Sequence, residues 1–255
     1  MKNYFSKIFI VFKVIVKLFN ISNIDKITFN MICEQIYLLA PSSLSLTLIT
    51  AFFISLVFSL QIVKEFLYLS ATNVVGSMLT LSFLRELSPV LTSIILTAKV
   101  GSYFTAELST MVVTNQIDVL YVLGINPINY LILPRIYSFV IMLPILNFFS
   151  FITSLLSSSF ICFFLYNIDT NLFFSSVYQT FSIIDLSKSC FKIVIFGFFI
   201  STICCVWGFT IQGGAKEVGL CTTSAIVNSL LFVFVLDFIL SYFMFDMSEV
   251  IFMSL

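Results

Sequence analysis

The stretch from Leu84 to Pro134 reads LRELSPVLTSIILTAKVGSYFTAELSTMVVTNQIDVLYVLGINPINYLILP. Within it, Leu87–Ala106 is a run of 20 residues with a single charge, Lys99, and such a run is long enough for a helix to cross a bilayer. The continuation to Leu123 is too polar to span a membrane, but its polar residues recur with the period of a helix. A membrane helix that leads into a short surface helix is typical of a permease that presents a docking point to a protein outside the membrane.

The polar continuation, residues 107–123, predicts one surface helix between the second and third spans. At about 100° per residue, four of its side chains fall on one face: Glu107, Met111, Thr114 and Asp118. Gly124 is a common helix stop, Pro127 prevents the helix from resuming, and Pro134 can begin the next helix. A plain amphipathic connector is the alternative interpretation.

Composition places the chain among membrane proteins. Its 255 residues are 60% hydrophobic and 9% charged, and the mean hydropathy of +1.14 is far from that of soluble domains. We expect one all-α, polytopic transmembrane domain over residues 1–255. The formal net charge of zero argues against a nucleic-acid partner.

The residue inventory excludes several chemistries. The chain has no His, which excludes Ser-His-Asp and Cys-His nucleophiles and His-ligated metals. The six Cys show no paired spacing and are typical of small apolar residues. The sequence around Gly213 and Lys216 is the nearest match to a Walker A motif, but it lacks the spacing. We predict a non-catalytic subunit with no cofactor and no metal, so another protein must hydrolyse any ATP that drives it.

Gaps between charged residues predict five membrane spans, at about 20 residues per crossing. They are residues 42–63, 87–107, 136–164, 190–211 and 226–246. The half-polar segment 66–84 is interpreted as a short helix at the outer surface, with a further span as the alternative. Residues 1–30 place Lys and Ser on one helical arc and Ile, Val and Phe on the rest. That pattern favours an amphipathic helix on the inner leaflet over an uncleaved soluble tail.

The distribution of Lys and Arg predicts the orientation. With five spans, seven basic residues fall on the N-terminal side: Lys2, Lys7, Lys13, Lys17, Lys26, Arg135 and Lys216. Four fall on the other side: Lys64, Arg85, Lys188 and Lys192. The positive-inside rule therefore places the N-terminus inside and the C-terminus outside.

Four segments carry a resemblance to a known family. They are LRELSPVLT at 84–92, AELSTM at 106–111, QIDVLYVLGINP at 116–127 and QGGAKEVGLCTTSAIV at 212–227, followed by LDF at 236–238. In this order they resemble the MlaE family, the permease subunits of ABC lipid transporters, which include a lipid permease of the chloroplast inner envelope. The chain departs from the family where Ser88 replaces a usual Gly, Lys99 a usual Arg and Asn115 a usual Glu.

The resemblance implies a homodimer of five-span subunits with a lipid pocket between them. A pair of ABC ATPase subunits would power transport from the inner side, where the surface helix would be a cytosolic coupling helix. An MCE-domain protein would carry lipid on the far side. The predicted function is lipid transport between membranes by a permease that depends on a separate ATPase. A plastid membrane is favoured, with the bacterial inner membrane as the alternative.

Two groups of candidate residues follow from position and resemblance together. The outer end of the second span would line the lipid pocket with Leu84, Arg85, Glu86, Leu87, Pro89 and Leu91. The surface helix would contact the ATPase through Glu107, Thr114, Gln116 and Asp118. Alternatively, Arg85 and Glu86 only anchor their helix at the interface. The loop Gly213–Gly219 is interpreted as a flexible turn, with a second ATPase contact as the alternative.

Two ionisable residues are predicted to lie within the bilayer, where charges are costly and usually paired or functional. From the span midpoints and a rise of about 1.5 Å per residue, Lys99 and Asp237 differ in depth by roughly 5 Å, within reach of a Lys side chain. We predict an ion pair between them. Separate hydrogen bonds to Ser or Thr, or exposure to a wet cavity, are the alternatives.

Two other functions stay open at this point. An ion-coupled secondary transporter would use Lys99 and Asp237 as a relay. A membrane enzyme acting on lipid head groups would use Glu86 or Asp118, although no clustered acid–base set accompanies them. Dependence of transport on a partner ATPase, or on an ion gradient with this chain alone, would discriminate between the transporters.

Overall fold

The structure, a computed structural model, describes residues 29–246, with side chains as far as Met244. The predicted interfacial helix at residues 1–30 therefore lies outside the described residues, apart from its last two positions. The described elements are all helical, and no strand occurs among residues 29–246. Among these described residues, five helices are long and apolar enough to cross a membrane. The prediction of an all-α, five-span membrane protein is confirmed.

Seven helices are numbered here in chain order. They are α1 (Phe29–Tyr68), α2 (Thr72–Val113), α3 (Gln116–Val122), α4 (Ile128–Tyr166), α5 (Thr170–Thr180), α6 (Ile183–Phe209) and α7 (Ala215–Ser241). A π-helical turn, Tyr242–Asp246, follows α7. The membrane-length helices are α1, α2, α4, α6 and α7. The short helices α3 and α5 connect α2 to α4 and α4 to α6.

The five long helices all begin before the predicted spans. The shortest of them, α6 and α7, have 27 residues each and a length of about 40 Å, which exceeds a hydrocarbon core of about 30 Å. The prediction took charged residues as span limits. In the structure α1 continues past Lys64, and α6 begins at Ile183, before Lys192. Helices continue through charged positions because the backbone hydrogen bonds do not depend on side-chain polarity.

The segment 66–84 is divided between the end of α1 and the start of α2, and the predicted short helix runs directly into the second span. The chain turns after Tyr68, with Ser70 in the left-handed region at φ 56°, and α2 begins at Thr72. Val75 and Leu79 are fully buried. Of the polar residues that suggested a surface helix, Ser77 bonds within α2, since its hydroxyl donates to the Val74 carbonyl at 2.7 Å. Such internal bonds satisfy hydroxyls in an apolar environment.

The predicted single helix over residues 107–123 is interrupted. Helix α2 ends at Val113, and Asn115 adopts a left-handed conformation at φ 57° before α3 begins. A left-handed residue cannot continue a right-handed helix, so the predicted common face of Glu107 and Asp118 does not form. Gly124 follows α3 at φ 73°, which confirms it as the helix stop.

The contacts divide the chain into two compact units, described separately. The first combines Ile94–Leu143 and Val194–Leu236 with the described part of Met1–Ser43. In it the Thr105 hydroxyl donates to the Cys204 carbonyl at 3.1 Å. A Cβ atom at Gly208 would lie 2.8 Å from the Thr105 carbonyl oxygen. Glycine therefore permits close packing of α6 on the last turns of α2.

The second unit combines Leu44–Ser93, Pro144–Ile193 and the residues from Asp237 onward. Its apolar core includes Val63, Val75, Leu79, Phe83, Leu84, Phe151, Cys162, Ile168 and Phe173. Buried polar groups join its helices, since the Ser88 hydroxyl donates to Asn147 Oδ1 at 2.7 Å. A Cβ atom at Gly76 would lie 2.6 Å from the Phe173 carbonyl oxygen, which places α5 directly against the start of α2.

Candidate functional sites

The second unit contains a buried cationic centre, Lys192. The Lys192 side chain has 0% exposure, and its Nζ lies 2.7 Å from Glu86 Oε2 and 2.5 Å from Asp237 Oδ1. Nζ also donates to the Ser241 hydroxyl at 2.8 Å and to the Arg85 carbonyl at 3.2 Å. An isolated ammonium in an apolar environment would be costly, and here two carboxylates and two neutral acceptors compensate it. The centre joins α2, α6 and α7.

A second ion pair lies beside this centre. Arg85 Nη2 is 3.4 Å from Asp185 Oδ2. Asp185 and Lys192 are seven residues apart on α6, which places them on nearly the same face of that helix. The adjacent residues Arg85 and Glu86 lie in the π-helical turn Phe83–Leu87, and π turns inside helices occur often at functional sites. Five ionisable groups thus meet at one place within the membrane-length helices.

The predicted pairing of Asp237 requires correction. Asp237 bonds to Lys192, and not to the predicted partner Lys99. The prediction compared depths only and counted Lys192 among the charges of the outer side, although the predicted fourth span, residues 190–211, contains it. In the structure Lys192 lies well inside α6 and reaches Asp237 directly. The seven-residue spacing of Asp185 and Lys192 on an apolar helix was the sequence signal for this site.

Lys99 belongs to the first unit, whereas the residues around Lys192 belong to the second. Lys99 is half-buried, within a second π-helical turn of α2, Thr97–Gly101. Its carbonyl accepts a hydrogen bond from the Ser102 hydroxyl at 2.8 Å. A functional role of the Lys99 ammonium stays a prediction.

The predicted pocket residues differ in their surroundings. Leu84 is only 3% exposed and belongs to the apolar core of the second unit. Pro89 is also buried, whereas Leu87 and Leu91 are partly exposed. Arg85 and Glu86 hold the ion pairs described above. Within this single chain, Leu84 therefore packs against protein, and Leu87 and Leu91 are the apolar members that an incoming ligand could contact.

A groove of about 410 Å³ lies along the end of α1. Its lining residues are Phe58, Gln61, Ile62, Lys64, Glu65 and Tyr68. Three apolar or aromatic side chains form its walls, and one Gln, one Lys and one Glu form a polar edge. None of the predicted pocket residues lines this groove.

The 114–126 segment, which includes α3, presents polar and apolar side chains together. Thr114, Gln116 and Asp118 are exposed. The apolar side chains of Val119, Val122 and Leu123 are exposed as well, with Val122 at 87%. Ile117 is the buried residue of α3 and attaches it to the first unit. An exposed cluster of apolar residues with adjacent polar groups is typical of a protein docking surface.

Glu107, the fourth predicted docking residue, has a different environment. Its Oε2 lies 3.0 Å from Arg135 Nη2, and the Arg135 side chain is 3% exposed. The Arg135 guanidinium also lies over the Phe104 ring, 5.9 Å from its centroid. Glu107 is therefore engaged by a buried partner within the first unit. The sequence alone did not indicate this pair, because Arg135 was placed at a span limit.

The turn after α6 contains Gly213 at φ 135°. Backbone of that kind strongly favours glycine, so the predicted turn at Gly213–Gly219 is found at its first two residues, whereas residues 215–219 are helical. Helix α7 begins directly afterwards at Ala215, so only the first residues of this loop are non-helical. A contact of this turn to an ATPase stays a prediction.

Five membrane-length helices, with ionisable side chains paired inside the protein, define an integral membrane protein. Residues 32–243 match the family described as "Permease MlaE". The chain belongs to the MlaE permease family. This match covers all five membrane-length helices and both groups of candidate residues.

Relatives agree with this assignment. The "Probable ABC transporter permease protein ycf63" of Pyropia yezoensis is 47% identical over 249 residues, covering 96% of this chain and 92% of the relative. A "Probable ABC transporter permease protein" of Synechocystis is 43% identical over 213 residues, covering 84% and 81%. The "Protein TRIGALACTOSYLDIACYLGLYCEROL 1, chloroplastic" of Arabidopsis thaliana is 41% identical over 221 residues, covering 87% and 63%. These relatives support a plastid membrane, with a bacterial membrane as the alternative.

Proposed function

We propose that this chain is the transmembrane subunit of an ABC transporter that moves lipids between membranes. The observation that carries the proposal is the match to the MlaE permease family over residues 32–243. The relative from Arabidopsis, which is named after a galactolipid and is chloroplastic, supports lipid as the transported class. The energy would come from ATP hydrolysed by a separate ABC ATPase subunit, because this sequence has no Walker A motif.

The 114–126 segment is the proposed docking surface for the ATPase. Its exposed Val122 and Leu123 supply apolar contact area, and the exposed Thr114, Gln116 and Asp118 supply polar contacts beside it. An apolar centre with a polar rim is the usual composition of a protein interface. Under the predicted orientation this segment faces the inside, where an ATPase has access to ATP.

The second unit holds the proposed lipid path. Leu87 and Leu91 are partly exposed apolar residues on α2. Leu87 directly follows Glu86, and Leu91 lies about one and a half turns beyond Glu86. The charges of Arg85 and Glu86 are balanced by Asp185 and Lys192. Apolar side chains next to a polar group match the two parts of a membrane lipid, its acyl chains and its head group. Leu84 and Pro89 would support this wall from behind, since both are buried.

A second copy of this chain and an MCE-domain protein are the other proposed partners. Both follow from the family resemblance, in which two subunits enclose one lipid pocket. The long helices α1 and α7 leave large apolar side chains exposed, among them Phe53 on α1 and Phe238 on α7. Such faces contact lipid or another helix in a membrane.

Reconstitution tests the proposal. The chain would be co-expressed with the ABC ATPase subunit of the same organism, purified in mild detergent and placed in proteoliposomes with a fluorescent galactolipid. We expect ATP-dependent movement of the lipid and its loss when the Walker A lysine of the ATPase is replaced. Lipid movement that proceeds without the ATPase would contradict the proposal.

The ionisable residues around the buried Lys192 support a second candidate function, that of an ion-coupled secondary transporter. Charged residues inside membrane-spanning segments commonly belong to ion or proton pathways, and Glu86, Lys192 and Asp237 meet in one place. In this alternative the chain alone would transport substrate in response to an ion gradient. Proteoliposomes that contain only this chain and an imposed pH gradient separate the two candidates.

A further inference from the structure

Glu107 and Arg135 form an ion pair at the base of the 114–126 segment. Glu107 lies in the last two turns of α2, and Arg135 lies in the first turns of α4, so the pair joins the two helices that this segment connects. The two side chains meet at 3.0 Å, and Arg135 is 3% exposed. The buried guanidinium is therefore out of reach of a docked protein, whereas the Glu107 side chain is 28% exposed.

The guanidinium is held on a second side by aromatic residues. It lies 5.9 Å from the centroid of the Phe104 ring, and that ring meets Phe139 edge-on at 6.0 Å. Phe104 belongs to α2 and Phe139 to α4, and both are buried. Cation–π contacts gain strength when the groups are removed from water. The ion pair and the two rings therefore fix α2 and α4 to each other at this point.

The same part of α2 is also fixed to α6. The Thr105 hydroxyl bonds to the Cys204 carbonyl, and Gly208 approaches the Thr105 carbonyl so closely that no side chain fits there. In contrast, the 114–126 segment has one buried residue, Ile117, which belongs to α3. A displacement of this segment would therefore reach the membrane-length helices through its two ends, where Glu107 and Arg135 are paired.

We propose that Glu107 and Arg135 are positioning residues that transmit movement of the 114–126 segment to α2 and α4, without contacting the ATPase themselves. This inference rests on the proposed function, in which an ATPase docks on that segment. It assigns to Glu107 a role different from that of Asp118. Asp118 would act in binding the partner, whereas Glu107 would act after binding.

The test separates binding of the ATPase from the lipid moved per ATP hydrolysed. The variant is Glu107→Gln with Arg135→Gln, which removes the ion pair without leaving one buried charge unpaired. The complex of this variant with the ATPase should form as in the wild type and hydrolyse ATP. The amount of fluorescent galactolipid moved per ATP should fall about fivefold or more, a size typical of residues that couple distant sites.

Two further variants make the result specific. The exchange Glu107→Arg with Arg135→Glu should recover lipid movement per ATP relative to either single change, because it restores an ion pair. Glu107→Asp keeps the charge but shortens the side chain, so the ratio should fall in the same direction and by less. Asp118→Lys serves as the contrasting control, since it should weaken ATPase binding.

Three outcomes would overturn the inference. In the first, the double Gln variant and Glu107→Asp both move as much lipid per ATP hydrolysed as the wild type does. Another is loss of ATPase binding in the double Gln variant, which would place Glu107 on the docking surface. The third is wild-type protein that moves no lipid in response to ATP, in which case the proposed function fails first and this inference fails with it.

Discussion

The ammonium of Lys192 lies 2.5 Å from the carboxylate of Asp237 in a part of the protein where Lys192 has no exposure. Glu86 provides a second carboxylate at 2.7 Å. Removal of the ammonium would leave two carboxylates, with side chains 43% and 22% exposed, without their shared counter-charge. Removal of one carboxylate would still leave the other as a counter-charge. Lys192 is therefore the residue whose removal leaves both Glu86 and Asp237 without a counter-charge.

Lys192→Met should destabilise the protein strongly. Breaking a buried ion pair by removing one partner costs about 3–5 kcal/mol, and two carboxylates lose their partner here. The measurement is thermal unfolding of the purified protein in detergent, followed by the loss of the monodisperse size-exclusion peak. Lys64→Met is the matched control, since Lys64 is exposed on α1, and its unfolding temperature should stay close to that of the wild type.

Charge exchange identifies the partner of Asp237. Lys192→Asp combined with Asp237→Lys should recover part of the stability that each single change loses, because an ion pair forms again in the same place. The corresponding exchange of Lys99 with Asp237 should give no recovery. Recovery with Lys99 and none with Lys192 would contradict the pairing.

Asp118→Lys should weaken association with the ATPase by roughly three- to tenfold, since an exposed charge at an interface acts mainly on encounter and specificity. The protein should still insert and purify normally, because Asp118 is exposed. Binding can be measured by biolayer interferometry with the permease in nanodiscs. Glu65→Lys, an exposed acidic residue of α1, is the control with the same change of charge and should bind as the wild type does.

Photo-crosslinking residues placed in α2 should distinguish residues that line the proposed lipid path from residues that are packed in the protein core. A probe at Leu87 or Leu91 should capture lipid, and the yield should change when ATP and vanadate arrest the ATPase. A probe at Leu84 should capture protein, because Leu84 is packed in the core. A probe at Ile145, exposed on α4, should capture bulk lipid with a yield that does not respond to ATP. Equal responses at Ile145 and Leu87 would argue against the proposed path.

Gly76→Ala should destabilise the contact between α2 and α5. The added Cβ would lie 2.6 Å from the Phe173 carbonyl oxygen, and overpacking of this kind costs about 1–3 kcal/mol. Gly219→Ala in α7 is the control, because no atom lies within 4 Å of a Cβ there. This control should be neutral or stabilising by up to about 1 kcal/mol, as expected for Gly to Ala in a helix. Unfolding temperatures of the two variants in one detergent provide the comparison.

The sequence predicted the five long helices because each contains a long apolar run with few charges, and it predicted the end of α3 because Gly124 and Pro127 are strong helix stops. It failed at Lys192 and Asp185 because charged residues were treated as markers of the water phase. Inside a helical membrane protein a charge can instead lie opposite a counter-charge on another helix, and sequence periodicity gives no information about which helices are neighbours.

Two local features were also missed. Helix α5 is short and only partly apolar, so it fell below the length that identifies a span. The sequence nevertheless contains a signal for the start of α5. Asp169 is its N-cap, and the Asp169 side chain accepts a hydrogen bond from the backbone NH of Asn171. The division of the 107–123 segment into two helices was not encoded in its periodicity, since Asn115 does not interrupt the spacing of polar residues.

Asn115 has a consequence for how the proposed docking surface is presented. It stands where the MlaE family usually has Glu, and by charge alone it would count as the loss of a carboxylate. Its φ of 57° belongs to a region that Asn enters several times more readily than most residues with a Cβ atom. The replacement therefore preorganises the corner between α2 and α3. Less conformational entropy remains to be lost when a partner docks, and affinity at this surface can arise from backbone rigidity in place of a charge.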